Sequence, residues 1–223
     1  DWGIVGVTDH KTYFFRGSAI NNCAKAEHKC DKMKIVVHKG LSTHLSEDIM
    51  VDPINKTFHF LTEIIQPEPE FKPVKTHVAN ENAITQFIPK SVLDYNQKGE
   101  FRDVVNVFIS FKEQSGFSEM NRFAREVLEK VDDSGGYFKA LDFGDKGGNC
   151  LVIFGAPVSY ENNIERAINF IDSLRNELKY SIRAGITFGT VFAGYVGSER
   201  RSGYDVFGEV VNLSARFMMK ADW

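Results

Sequence analysis

Asn212 and Arg216 stand four residues apart, and Asp205 lies seven residues before Asn212. Four residues is about one helical turn, so an amide and a guanidinium would share one helix face. Such a pair can hold a sugar or ring oxygen and set positive charge against a phosphoryl group during its displacement. Asp205 sits before a turn, where its carboxylate can accept a hydrogen bond from an exocyclic amine. Gly189, Gly194, Gly197 and Gly208 punctuate the same run and suit tight turns or close backbone approach. A bland reading fits as well: Asp205 or Arg216 in a surface ion pair, Asn212 as a helix cap. Residue types alone leave both open.

Composition narrows the setting. The chain of 223 residues is 43% hydrophobic, 13% aromatic and 26% charged, enough for a packed core under an ordinary surface. A net charge of -3 argues against a nucleic-acid footprint, which needs a basic face. No run approaches the roughly 18 apolar residues of a membrane span, and the start DWGIVG is unlike a signal peptide. Cys23, Cys30 and Cys150 are an odd set without metal-ligand spacing, which points to a reduced, cytoplasmic setting. The six histidines, His10 to His77, show no zinc-like spacing.

The elements that must position these groups follow from periodicity. Residues 18–29 read as a helix, with strands at 32–38 and 57–65. Residues 66–75 carry three of the six prolines and read as an extended linker, followed by a short helix around FIPKSVLDY. Val105, Val107, Ile109 and Phe111 alternate as a strand. Met120, Phe123, Val127, Leu128 and Val131 form one face of a helix that Gly135 and Gly136 end. A hairpin (137–143 and 149–154), a second amphipathic helix (164–178) and a strand (181–188) complete the order β-α-β-β-α-β. That order predicts an α+β, ferredoxin-like fold: an antiparallel sheet with helices on one face.

A weak internal repeat cuts across this scheme. Residues 3–29 and 194–220 agree at eight of 27 aligned positions, Gly3/Gly194, Gly6/Gly197, Gly17/Gly208 and Asn21/Asn212 among them. About two agreements are expected from composition. The spacing of 191 residues is too long for a solenoid and predicts matching parts of two related domains. In the earlier copy Phe14, Asn21 and Lys25 take the places of Asp205, Asn212 and Arg216.

The run from Gly189 to Arg216, G-x-V-x-A-G-x-x-G and then Y-D-x-x-G-x-x-V-N-x-x-x-R, resembles the signature of the class III nucleotidyl cyclases. GGYFKALDFGDKGGNCLVIFGAP (135–157) resembles the second cyclase domain of soluble, tandem-domain adenylyl cyclases. The resemblance implies three segments: residues 1–65 as the end of a first cyclase-like domain, 66–100 as linker and lead-in helix, and 101–223 as a second cyclase domain, C-terminally incomplete. It implies that Asn212 positions the ribose and Arg216 stabilises the pentavalent phosphorus. Asp205 with Lys139 would recognise adenine, and Val206 would offer backbone contacts to the base. Lys139 lies one residue further from the D-K-G turn than is usual in the family.

Departures are equally informative. The positions of the family's two metal-binding aspartates fall on Ser110 and Gly148, and Asp145 belongs to the hairpin turn. The metal ions, Mg2+ or Mn2+, would therefore be held by a partner cyclase domain, in the same chain or a dimer. The implied reaction is ATP to cyclic AMP and pyrophosphate, at a site completed by that partner. The rival expectation is a catalytically inactive cyclase-like module that binds nucleotide, or only dimerises and regulates.

Overall fold

A computed structural model describes residues 1–66, 80–112, 116–144, 147–198 and 201–223. Most of the proline-rich linker and Asp145 of the hairpin turn lie outside the described residues. The chain divides into two compact units: Asp1, Phe15–Val78 and Phe143–Lys146 form one; Trp2–Phe14, Ala79–Asp142 and Gly147–Trp223 form the other.

The early elements are β1 (Trp2–Gly6), β2 (Lys11–Phe15), α1 (Ser18–Glu27), β3 (Ile35–His38), α2 (Lys39–His44), β4 (Ile49–Pro53) and β5 (Phe58–Ile64). β1 and β2 pair as a hairpin that belongs, but for Phe15, to the larger unit. There the Gly6 N–H donates to Asn121 Oδ1 at 3.1 Å, and Phe14 stacks on Phe117 with centroids 6.4 Å apart. In the smaller unit β3, β5 and β4 form an antiparallel sheet in that order. α1 covers β3 and buries Ala26 against Val36 and Phe58. The predicted strand at 32–38 is shorter than expected, because residues 28–34 turn with local i to i+3 hydrogen bonds.

The larger unit continues with α3 (Glu81–Ile84), α4 (Lys90–Leu93), β6 (Gly99–Phe111), α5 (Phe117–Ser134), β7 (Tyr137–Gly144), β8 (Gly147–Phe154), α6 (Asn163–Glu177), β9 (Ile182–Ser198), β10 (Arg201–Phe207) and α7 (Glu209–Lys220). Two short helices replace the single lead-in helix, and Asn80 caps the first by accepting from the Asn82 N–H. The sheet order is β10-β9-β6-β8-β7. Without β10, this is the 4-1-3-2 order of a βαββαβ unit, and β6 runs antiparallel to both β8 and β9. The expected fold class is therefore present.

Alternation along β6 sorts the two faces of the sheet. Val105, Val107, Ile109 and Phe111 are buried; Phe111 meets Phe123 of α5 at 4.2 Å between centroids, and Phe154 meets Phe170 of α6 at 5.7 Å. Burying each such ring contributes about 1.5–3 kcal/mol. α5 ends where Gly135 turns left-handed at φ 71°, as its sequence predicts.

The opposite face receives α7. Thr187 Oγ1 donates to the Val210 carbonyl at 2.7 Å, and Gly185 lies so close to Ser214 that a Cβ there would press on that residue's carbonyl. β9 runs 17 residues, further than the predicted 181–188. Gly189 and Gly194 therefore sit inside a strand instead of at turns. What they provide is close approach: a Cβ on Gly194 would collide with the Gly99 backbone.

The internal repeat is also structural. Adding 191 to β1, β2 and α1 gives residues 193–197, 202–206 and 209–218, which fall in the end of β9, in β10 and in α7.

Candidate active site

β10 alternates in burial: Tyr204 and Val206 are buried and Asp205 between them is only partly covered. That is what period-2 geometry requires of a strand with one face on a core. Register with β9 pairs Asp205 with Gly194 and Tyr204 with Tyr195. Lys139 comes from β7, at the other edge of the sheet.

The structure brings Lys139 and Asp205 together. Lys139 Nζ lies 3.3 Å from Asp205 Oδ2 and donates to the Tyr204 carbonyl at 2.8 Å. The two side chains are 24% and 33% exposed, so the pair is neither sealed in the core nor fully solvated. Asp205 Oδ1 accepts from the Val206 N–H at 2.8 Å. That bond fixes the carboxylate and occupies the one backbone donor that Val206 has. An ammonium carries three donors and a carboxylate about four acceptor sites. Each partner thus keeps capacity for a ligand after these contacts.

Asn212 and Arg216 both lie in α7, one turn apart, and both are exposed. Neither side chain has a hydrogen-bond or ion-pair partner among the described residues. Asn212 is not the cap of α7: Gly208 holds that position, with no side-chain cap. The bland reading of Asn212 as a cap thus falls away, as does that of Arg216 as a surface ion pair among the described residues. α7 is anchored through Ser214 and Met218, 0% and 4% exposed, leaving Asn212 and Arg216 outside its buried stripe.

The metal positions do not fit a divalent cation. Ser110 is buried, and Gly148 pairs with Phe111 across the β6–β8 ladder. The Phe111 ring occupies the space a side chain at 148 would need. Among the described residues no cluster of three or more His, Cys, Asp or Glu is placed to hold a metal.

Sequence reasoning missed the aromatic frame around the pair. Tyr95, Tyr137 and Tyr195 each meet the Tyr204 ring nearly edge-on, at centroid distances of 5.2, 5.6 and 6.1 Å. Burial pushes the Tyr204 phenol up to about 12. Burial, with the Asp205 charge second, holds the Tyr137 phenol well above its ordinary range. The signal was present in spacing, since Tyr137 precedes Lys139 by two residues and Tyr204 immediately precedes Asp205. No helix among the described residues is long and apolar enough to cross a membrane.

The mouse protein "Adenylate cyclase type 10" is 27% identical over 180 residues, covering 74% of this chain and 11% of the relative. Its human counterpart is 28% identical over 168 residues, 70% of this chain and 10% of the relative. The chain thus spans about a tenth of the length of these curated relatives. A dimeric guanylyl cyclase domain from the fungus Blastocladiella emersonii aligns at 21% identity over 55% of this chain and 77% of its own, TM-score 0.47. The adenylyl cyclase CyaB from P. aeruginosa aligns at 18% over 56% and 76%, TM-score 0.45. Residues 101–222, more than half of the chain, match the family described as the adenylate and guanylate cyclase catalytic domain. By that match this chain belongs to the class III nucleotidyl cyclases.

Proposed function

We propose that this chain supplies the base-recognition and transition-state half of an adenylate cyclase site, converting ATP to cyclic AMP and pyrophosphate. The observation that carries this reading is the Lys139–Asp205 pair: a donor and an acceptor, 3.3 Å apart and partly open to solvent. Adenine offers a 6-amino donor beside the N1 acceptor, which Asp205 and Lys139 respectively satisfy. Base edges are commonly read in this way once a base is out of a stack. Guanine presents the reverse order, an acceptor at O6 beside a donor at N1, so the orientation of the bound base decides the preference.

In this reading Asn212 orients the ribose, and Arg216 stands where negative charge grows as the 3'-oxygen attacks the α-phosphorus. An exposed guanidinium with no hydrogen-bond or ion-pair partner among the described residues can serve that charge. Mg2+ or Mn2+, when bound, would lower the pKa of the attacking hydroxyl and neutralise phosphate charge. Its ligands belong to a second cyclase domain, in the same chain or a dimer, since Ser110 and Gly148 offer no carboxylate. Residues 1–65 we assign to the end of a first cyclase-like domain, 66–100 to a linker and lead-in, and 101–223 to the second. ATP and that metal-bearing domain are thus the partners, and the setting is cytoplasmic.

The test is a cyclic AMP assay on the full-length protein with Mg2+ or Mn2+, beside an ATP-binding measurement. Cyclic AMP formation that fails in Arg216→Ala supports the reading. Nucleotide binding without turnover in the wild type would leave the inactive module in its place.

A further inference from the structure

β7 and β10 are the two outer strands of the five-stranded sheet, and no backbone ladder joins them. The Lys139–Asp205 pair nevertheless bridges these edges. Direct contact between these edges is made by side chains: Lys139 reaches Asp205 and the Tyr204 carbonyl, and the packing beside them is aromatic. Tyr204, 3% exposed, is enclosed by Tyr95, Tyr137 and Tyr195 at interplanar angles of 81°, 88° and 89°. Edge-to-face contacts of this kind are the favoured aromatic arrangement and resist sliding.

The three tyrosines are not equivalent. Tyr195 is the cross-strand partner of Tyr204 on β9, already fixed by the ladder. Its hydroxyl donates to the Val92 carbonyl at 2.6 Å. Tyr95 follows α4 and donates to Glu100 Oε1 at 3.2 Å. Only Tyr137 comes from β7. Two residues before Lys139, it projects from the same side of that strand.

We propose that Tyr137 is a positioning residue for purine selection, its ring on Tyr204 setting the separation of β7 and β10 and hence the geometry of Lys139 and Asp205. The inference rests on reading that pair as the base-recognition site. The ring, and not the hydroxyl, carries the role: the Tyr137 hydroxyl has no hydrogen-bond partner among the described residues. Phenylalanine should therefore substitute, whereas a side chain without a ring should let the edges drift.

The experiment measures displacement of a fluorescent methylanthraniloyl-ATP from the full-length protein by ATP and by GTP. Tyr137→Phe should keep the ratio of the two affinities within about twofold. Tyr137→Ala and Tyr137→Leu should narrow it about three- to tenfold, the scale of one aromatic pair. Melting curves check that each variant is folded, and if the alanine variant is not, the leucine variant decides. Asp205→Ala is the control for the underlying reading. If it collapses the ratio while the folded ring-less variant does not, the positioning role is overturned and base recognition stands. If Asp205→Ala leaves the ratio unchanged, or the wild type binds neither nucleotide or both alike, both ideas fall.

Discussion

Gly6 and Gly197, 191 residues apart, perform the same local task. Their φ angles are 126° and 139°, and a Cβ on either would strike a carbonyl four residues on, that of His10 or of Arg201. A contact with the following residue repeats too, at Lys11 Cα for Gly6 and Ser202 Cα for Gly197. Chance sequence agreement does not reproduce a positive-φ glycine together with the atoms packed against it.

Each of these glycines should therefore resist replacement. Gly6→Ala and Gly197→Ala should each cost about 1–3 kcal/mol, since the side chain meets both a disfavoured backbone and an occupied space. Chemical denaturation of the two variants measures this. A loss below about 0.5 kcal/mol in either would show that the turn relaxes without cost.

Gly148→Asp bears on the metal assignment. The Phe111 ring, itself packed on Phe123, fills the place of the missing side chain. The carboxylate should overpack the core and cost at least about 1–3 kcal/mol, and added Mg2+ should not recover it. A rise in melting temperature with Mg2+ would show a latent metal site.

The thiols give a check on burial. Burial pushes the Cys150 thiol up to about 12, while Cys23 and Cys30 are exposed. Of these three, a thiol reagent should modify Cys23 and Cys30 in the native state and Cys150 only in denaturant. The same shift fixes a sign: the folded state keeps a proton that the unfolded thiol loses above about pH 9. Cys150 therefore costs the fold up to about 1.4 kcal/mol per pH unit between pH 9 and pH 12, with Tyr204 adding to the loss above pH 10. Stability that holds flat across that window would contradict the burial of both groups.

Much of this was legible in the sequence, for identifiable reasons. The α5 and α6 stripes and the alternation in β6 are single-period patterns, read without knowing the partners. The far end of β9 is not legible, because Gly189 and Gly194 fit a turn or a close approach equally well; the contacts with Val210 and the Gly99 backbone decide for close approach within a strand. Asp205, Asn212 and Arg216 were found through a motif. The tyrosine frame was not, since it joins residues 95, 137, 195 and 204 from strands and loops distant in sequence.

Arg216→Ala separates binding from chemistry. The side chain is exposed and lies outside the buried stripe of α7, so stability should change by less than about 0.5 kcal/mol. Turnover should fall about 10²–10³-fold while the affinity for ATP changes little. Loss of affinity with unchanged turnover at saturation would make Arg216 a ground-state contact instead.

In the proposed site Lys139 and Asp205 choose the base. The most direct test of that role is kcat/KM for ATP and for GTP in the full-length wild type, beside Asp205→Ala and Lys139→Ala. A strong wild-type preference for ATP that drops by at least tenfold in both variants is the expected result. Equal use of ATP and GTP by the wild type, or a preference that survives both substitutions, would contradict it.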